Sequence, residues 1–174
     1  MERTLWTLGM VLVCVLAACG LWLGWKHRGR RQSGLPALPA VPNAPGDVIT
    51  PALTGLYVSS TTAGNWQDRI VAHGLGVRAP AIVRLSEDGV LVDREGADPI
   101  FVPVKDLVEV TTAPGIAGKV MGQEDGILII RWRLGDTELD SGIRADDRDE
   151  QAEFLVAAKN LLAGDLTKDE GAAQ

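Results

Sequence analysis

Residues 79–95, APAIVRLSEDGVLVDRE, decide the fold. Ile82 and Leu85 lie before Glu87-Asp88-Gly89, and Val90 and Val92 lie after it. An Asp-Gly step between two such runs marks a tight hairpin, because glycine accepts the backbone angles that short turns demand. The same signal repeats outward in both directions. Toward the C-terminus stand DPIFVPVKDLVEVTT (98–112) and GILIIRWRLGDTELDSGIR (126–144), and toward the N-terminus ALTGLYVSST (52–61). Short β-branched runs separated by turn residues predict an all-β core. The Arg94–Asp98 segment and the Leu134-Gly135-Asp136-Thr137 step supply two further turns.

The strands give way to DDRDEQAEFLVAAKNLLAG, in which Asp147 followed by Glu150 forms an N-terminal capping pattern and Gly164 a terminating glycine. Phe154, Leu155, Ala158, Leu161 and Leu162 recur at helical spacing and predict one face to bury. The fold class is therefore mainly β with one C-terminal α-helix. Along the 126–144 run, alternation puts Trp132 on one face and Arg131 and Arg133 on the other, so the indole is expected in the core, and the arginines pair with carboxylates on a neighbouring strand or bind an acidic ligand, the first being more usual in so acidic a domain.

Before the domain the composition changes twice. Leu5 to Trp25 is a run of 21 residues without a charge, with Trp6 near one end and Trp22 and Trp25 near the other. About 20 helical residues cross a hydrocarbon core, and indoles favour its interfaces. The basic cluster Lys26-His27-Arg28-Gly29-Arg30-Arg31 follows. Positive flanks are retained inside the cell, which predicts an inner-membrane single pass, N-terminus outside and C-terminal domain cytoplasmic. Leu16-Ala17-Ala18-Cys19 supports a rival reading, an exported lipoprotein acylated on Cys19. Against it stand the weakly charged start and the apolar run continuing past the cysteine. Residues 32–51, QSGLPALPAVPNAPGDVITP, carry five prolines and are expected to form an extended spacer. The resulting division is anchor with basic flank 1–31, linker 32–51, domain 52–164 and disordered tail 165–174.

Charge divides along the same boundary. The total is −6, yet the first 31 residues set five basic side chains against Glu2, leaving the remainder at −10. A domain that acidic repels phosphate backbones and anionic headgroups, which argues against nucleic acid and against a specific lipid headgroup as partner. Neither cysteine lies in the domain, which carries one histidine, and no nucleophile with a base, metal-binding spacing or phosphate loop is present. The reading assigns no catalytic residue, no cofactor and no metal. Gly115-Ile116-Ala117-Gly118-Lys119 lacks the phosphate-loop spacing and is read as a turn between strands. The carboxylates Asp146, Asp147, Asp149 and Glu150 are accounted for by the positive end of the helix.

One segment breaks the strand pattern. GNWQDRIVAHGLGVR, 64–78, gathers Trp66, Asp68, Arg69, His73, Leu75 and Arg78, residue types that dominate binding hot spots when held on loops. These six are the candidate partner-binding residues. The competing structural reading has Trp66, Ile70 and Leu75 cover an open barrel end while Arg69 pairs with an acidic neighbour.

Taken together, the anchor, the Pro-rich tether, Gly55-Leu56-Tyr57-Val58, Trp66-Gln67-Asp68-Arg69, His73-Gly74-Leu75-Gly76-Val77-Arg78 and Ile130-Arg131-Trp132 resemble the actinobacterial membrane-anchored PH-like domain proteins. Members are often described as transporters or export/membrane proteins, with genes among those for pyrimidine biosynthesis. The resemblance implies a PH-like half-open barrel behind a single transmembrane helix. The expected function is a non-enzymatic binding or scaffold module with a protein partner. An exported lipoprotein or an accessory component of a transport or export assembly is the alternative. Gly20 and Gly24 offer a small-residue pair for helix packing, so an oligomer is a further expectation.

Overall fold

The computed structural model describes residues 6, 9–20, 32, 34–44, 46–120, 122 and 125–172, with side chains as far as residue 164. The chain divides into two compact units, residues 1–34 and 35–174. In the first unit residues 9–20 form helix α1. Among the described residues no helix is long and apolar enough to cross a membrane. Of the expected 5–25 span, residues 5, 7, 8 and 21–25, Gly24 among them, and the basic cluster 26–31 lie outside the described residues.

The second unit begins with β1 (Leu53–Thr62), β2 (Arg69–Ile70), β3 (Ala79–Ser86), β4 (Gly89–Arg94) and β5 (Ile100–Pro103). It continues through β6 (Leu107–Ala113), β7 (Gly115–Ile116), β8 (Lys119–Val120), β9 (Ile127–Leu134), β10 (Thr137–Ala145) and helix α2 (Arg148–Ala172). The main sheet is antiparallel in the order β5-β4-β3-β1-β10-β9-β6, with β2 paired to β1. Its edges are β5 and β6, which do not pair with each other, so the barrel stays open. Only the turn Val104–Asp106 separates these two strands in sequence. A three-residue connection reaches about 10 Å, so the sheet must curl until its opposite edges approach one another at that corner.

All three expected hairpins form. β3 and β4 meet at Ser86↔Gly89 around Glu87-Asp88, and β9 and β10 meet at Leu134↔Thr137 around Gly135-Asp136. Gly135 has φ 61 at the first of its two loop positions, the place where a type II′ turn needs glycine. Gly89 has a different role from the one its Asp-Gly context implies: it lies inside the ladder at φ 141. There a Cβ would collide with the Val102 carbonyl oxygen and stand 2.9 Å from Pro103 Cα, so glycine is needed for close approach to β5.

A bulge in β1 sets the interior. Its pairing with β10 shifts between Tyr57 and Ser59, leaving Val58 as the extra residue. Side chains alternate along a regular strand, so residues three apart face opposite ways, and the bulge lets Tyr57 and Ser60 share a face. Val58 points instead to a small second core with Ile116, Ile127 and Ile129, over which the β7–β8 hairpin folds. The Gly115–Lys119 segment is thus the turn between strands that its spacing suggested.

Trp132 is fully buried in the main core, and the arginines on either side of it face outward as the alternation requires. Arg131 forms a bidentate pair with Asp140 at 2.7 and 3.1 Å and reaches Glu109 at 3.3 Å. Arg133 pairs with Glu138 at 3.1 Å. Asp147 caps α2, its Oδ1 accepting the backbone N–H of Asp149 at 2.7 Å and of Glu150 at 3.2 Å. Phe154 and Ala158 enter the main core, with Leu155, Leu161 and Leu162 packed at its margin. The helix does not stop at Gly164 but runs to Ala172. Glycine weakens a helix without ending it, and no proline follows to enforce a stop.

The expected free spacer is also corrected. Leu35 and Leu38 pack against the main core, Val48 bridges Ser86, and Ile49 N–H donates to the Leu85 carbonyl at 3.0 Å. Gly46 N–H donates to Asp88 Oδ2 at 2.7 Å. Residues 35–44 and 46–50 therefore form a strap on the domain. Proline keeps the strap extended, and its intervening apolar side chains gain by leaving water.

Candidate functional site

The 64–78 loop occupies a break in the sheet. On one side β1 pairs with β3 as far as Tyr57↔Ala79, then with β2 from Ser60↔Ile70. Residues 71–78 fill the interval. Leu75 is fully buried, and its carbonyl accepts Ser60 N–H at 2.9 Å and the Tyr57 hydroxyl at 2.8 Å. The polar chain continues inward through Ser60 Oγ, 2.8 Å from the Tyr57 hydroxyl and 2.6 Å from Ser141 Oγ, to Trp132 Nε1, which donates to Ser141 at 2.9 Å. Burial pushes the Tyr57 hydroxyl up to about 12, against the opposing effect of its bond with Ser60.

Arg94 is the second fastener. Its guanidinium is buried, lies 4.9 Å from the centre of the Tyr57 ring, and donates to the Gly74 carbonyl at 2.7 Å and to the Asp98 carbonyl at 2.8 and 2.6 Å. Burial draws its pKa down, while Tyr57 and Asp98 act the other way. Carbonyl dipoles thus stand in for a carboxylate. A third fastener is His73, at φ 52, whose Nε2 lies 3.1 Å from the Leu35 carbonyl and must donate to it. The loop and the strap are joined there.

The six candidate residues divide accordingly. Leu75 is core and presents no side chain to a partner, which corrects its place in the set. Asp68 accepts the Thr62 hydroxyl at 2.9 Å, and Arg69 Nε donates to Ser59 Oγ at 2.9 Å, so both brace the loop. Trp66, His73 and Arg78 are exposed. Trp66 is 44% exposed at the turn leading into β2, and its carbonyl accepts Gly118 N–H at 3.2 Å from the β7–β8 turn. Of the residues assigned to covering the barrel end, Ile70 and Leu75 are buried in the main core and Trp66 is exposed.

Sequence reasoning missed the fasteners. Tyr57, Ser60 and Ser141 meet only because of the bulge, and Arg94 reads as an ordinary exposed end-of-strand charge. Its one available signal is its place before the Glu95-Gly96 turn, within reach of that turn's own carbonyls.

A curled antiparallel sheet with a C-terminal helix packed into its core is the architecture of a PH-like domain, a class whose members are typically non-enzymatic binding modules. The family model described as bacterial PH domain-like matches residues 35–159, well over half of the chain, and the chain belongs to that family. The match starts at Leu35, where the strap begins to pack on the core. No curated protein sequence matches the chain.

Proposed function

We propose that this protein is a single-pass, membrane-anchored PH-like domain acting as a non-enzymatic binding or scaffold module for a protein partner at the cytoplasmic face. The observation that carries the reading is Trp66, an exposed indole on a loop tied to the sheet through Leu75, Gly74, Asp68 and Arg69. An aromatic side chain held in place loses little conformational freedom on binding, which makes it a strong contact residue. PH-like domains commonly bind proteins or lipids, and the −10 balance of residues 32–174 opposes an anionic headgroup. The anchor rests on the uncharged run 5–25 and its basic flank, and on the resemblance to the membrane-anchored actinobacterial proteins.

Two measurements test it. A topology reporter fused after Gln174 is expected to read cytoplasmic; active alkaline phosphatase there, or an acylated Cys19 at the mature N-terminus, would establish the exported lipoprotein instead. Proximity labelling from the same position is expected to recover a protein lost with Trp66→Ala. That exposed substitution should change stability by no more than about 0.5 kcal/mol. A partner set unaffected by Trp66→Ala and Arg78→Ala removes the loop as the contact.

A further inference from the structure

The outer face of β1, β3 and β4 carries a second feature. Thr54, Ile82 and Asp93 stand in one cross-strand row, and Gly55, Ala81 and Arg94 in the next. A shallow groove of about 420 Å³ lies over these rows, floored by Gly55, Pro80 and Ile82 and edged by Asp93, Glu95 and Asp146. Gly55 contributes backbone to the floor, and glycine is required there by the close approach of β10, since a Cβ would collide with the Arg144 carbonyl oxygen. Ile82 is an apolar side chain left 39% exposed in the middle of a sheet.

Every charged residue lining the groove is a carboxylate. Four other acidic side chains of this domain are paired: Asp140 and Glu109 with Arg131, Glu138 with Arg133, Asp125 with Arg148. Glu95 and Asp146 have no side-chain hydrogen bond or ion pair among the described residues. Asp93 is held only by Arg84 at 3.5 Å, with both side chains about half exposed. Such a pair is nearly worthless in water and yields readily to a competing cation.

We infer that this groove docks an extended, lysine- or arginine-bearing segment of a partner protein. An extended chain turns alternate side chains to opposite sides, so it can set small apolar groups on Pro80 and Ile82 while its cations reach the carboxylates at the edge. Phosphate-bearing partners are repelled by the same three groups, and a bare cation gains nothing from the apolar floor. The inference is independent of the anchor and of the 64–78 loop.

The test is a titration of the full chain, in mild detergent, with a short fluorescent peptide of alternating lysine and valine, read by anisotropy. Binding is expected to weaken as salt rises, and to weaken about fivefold or more in Glu95→Gln/Asp146→Asn. Ile82→Ser is expected to weaken it about threefold, and Trp66→Ala to leave it unchanged. All four positions are exposed, so thermal unfolding should be near that of the parent; Glu95→Lys carries the same test if the double variant melts early. Equal binding by the charge-depleted variant, by a glutamate–valine peptide, or of spermine in place of the peptide would overturn the assignment.

Discussion

Tyr57 shows how one residue couples the interior to solution conditions. Its hydroxyl is neutral in the folded state until about pH 12, whereas the ordinary value is 10.0. Because the folded state holds the proton more tightly, the associated stability is fully present below about pH 10 and is lost as pH climbs toward 12, amounting to about 2–3 kcal/mol. Tyr57 is the sole tyrosine, so phenolate absorbance reports it alone. Urea unfolding stepped through the alkaline range should show the fall, and Tyr57→Phe should flatten that part of the profile at a cost of about 1 kcal/mol near neutrality. None of this was legible in Gly55-Leu56-Tyr57-Val58, since burial of a hydroxyl depends on what closes over it. Trp132 was legible, because strand alternation fixes its face without knowledge of its neighbours. Leu75 was half legible: a leucine among glycines can anchor a loop or offer itself to a partner, and only its burial beneath β1 decides between them.

Among the elements, the hairpins and the final helix follow from local chemistry. Asp147 is placed to cap α2 by its short side chain, whatever the helix packs against. Asp147→Ala should therefore cost about 1 kcal/mol in thermal or urea unfolding and leave the strands intact. The limits of local reading appear at Gly89 and Gly164. Gly89 was recognised as a turn glycine, yet its need arises from β5, a neighbour contributed by a later segment. Gly164 had the form of a stop signal, and the helix passes through it. The β1 bulge had no signature at all, because it is defined by register against β10, more than eighty residues later in the chain.

For the whole molecule, the strap redraws the domain boundary. If residues 35–50 belong to the fold, a fragment beginning at residue 52 should be less stable than one beginning at residue 35 by about 2 kcal/mol or more. That figure follows from losing the partly buried Leu35 and Leu38 and the bridge at Val48, and paired urea titrations would measure it. Equal stability would restore the picture of a detached spacer. Membership in the bacterial PH domain-like family from Leu35 onward agrees with the longer boundary. By itself the amino-acid order determined the β-rich class, the three hairpins, the capped helix, the outward arginines and the separation of a basic leader from an acidic domain. These depend on periodicity, turn chemistry and charge, which are properties of short segments. Tertiary structure alone decided the bulge that gathers Tyr57, Ser60 and Ser141, the burial of Arg94 against backbone carbonyls, the strap, and which loop side chains face water. Each of those requires groups distant in the chain to exclude solvent from one another, and no local pattern encodes that exclusion.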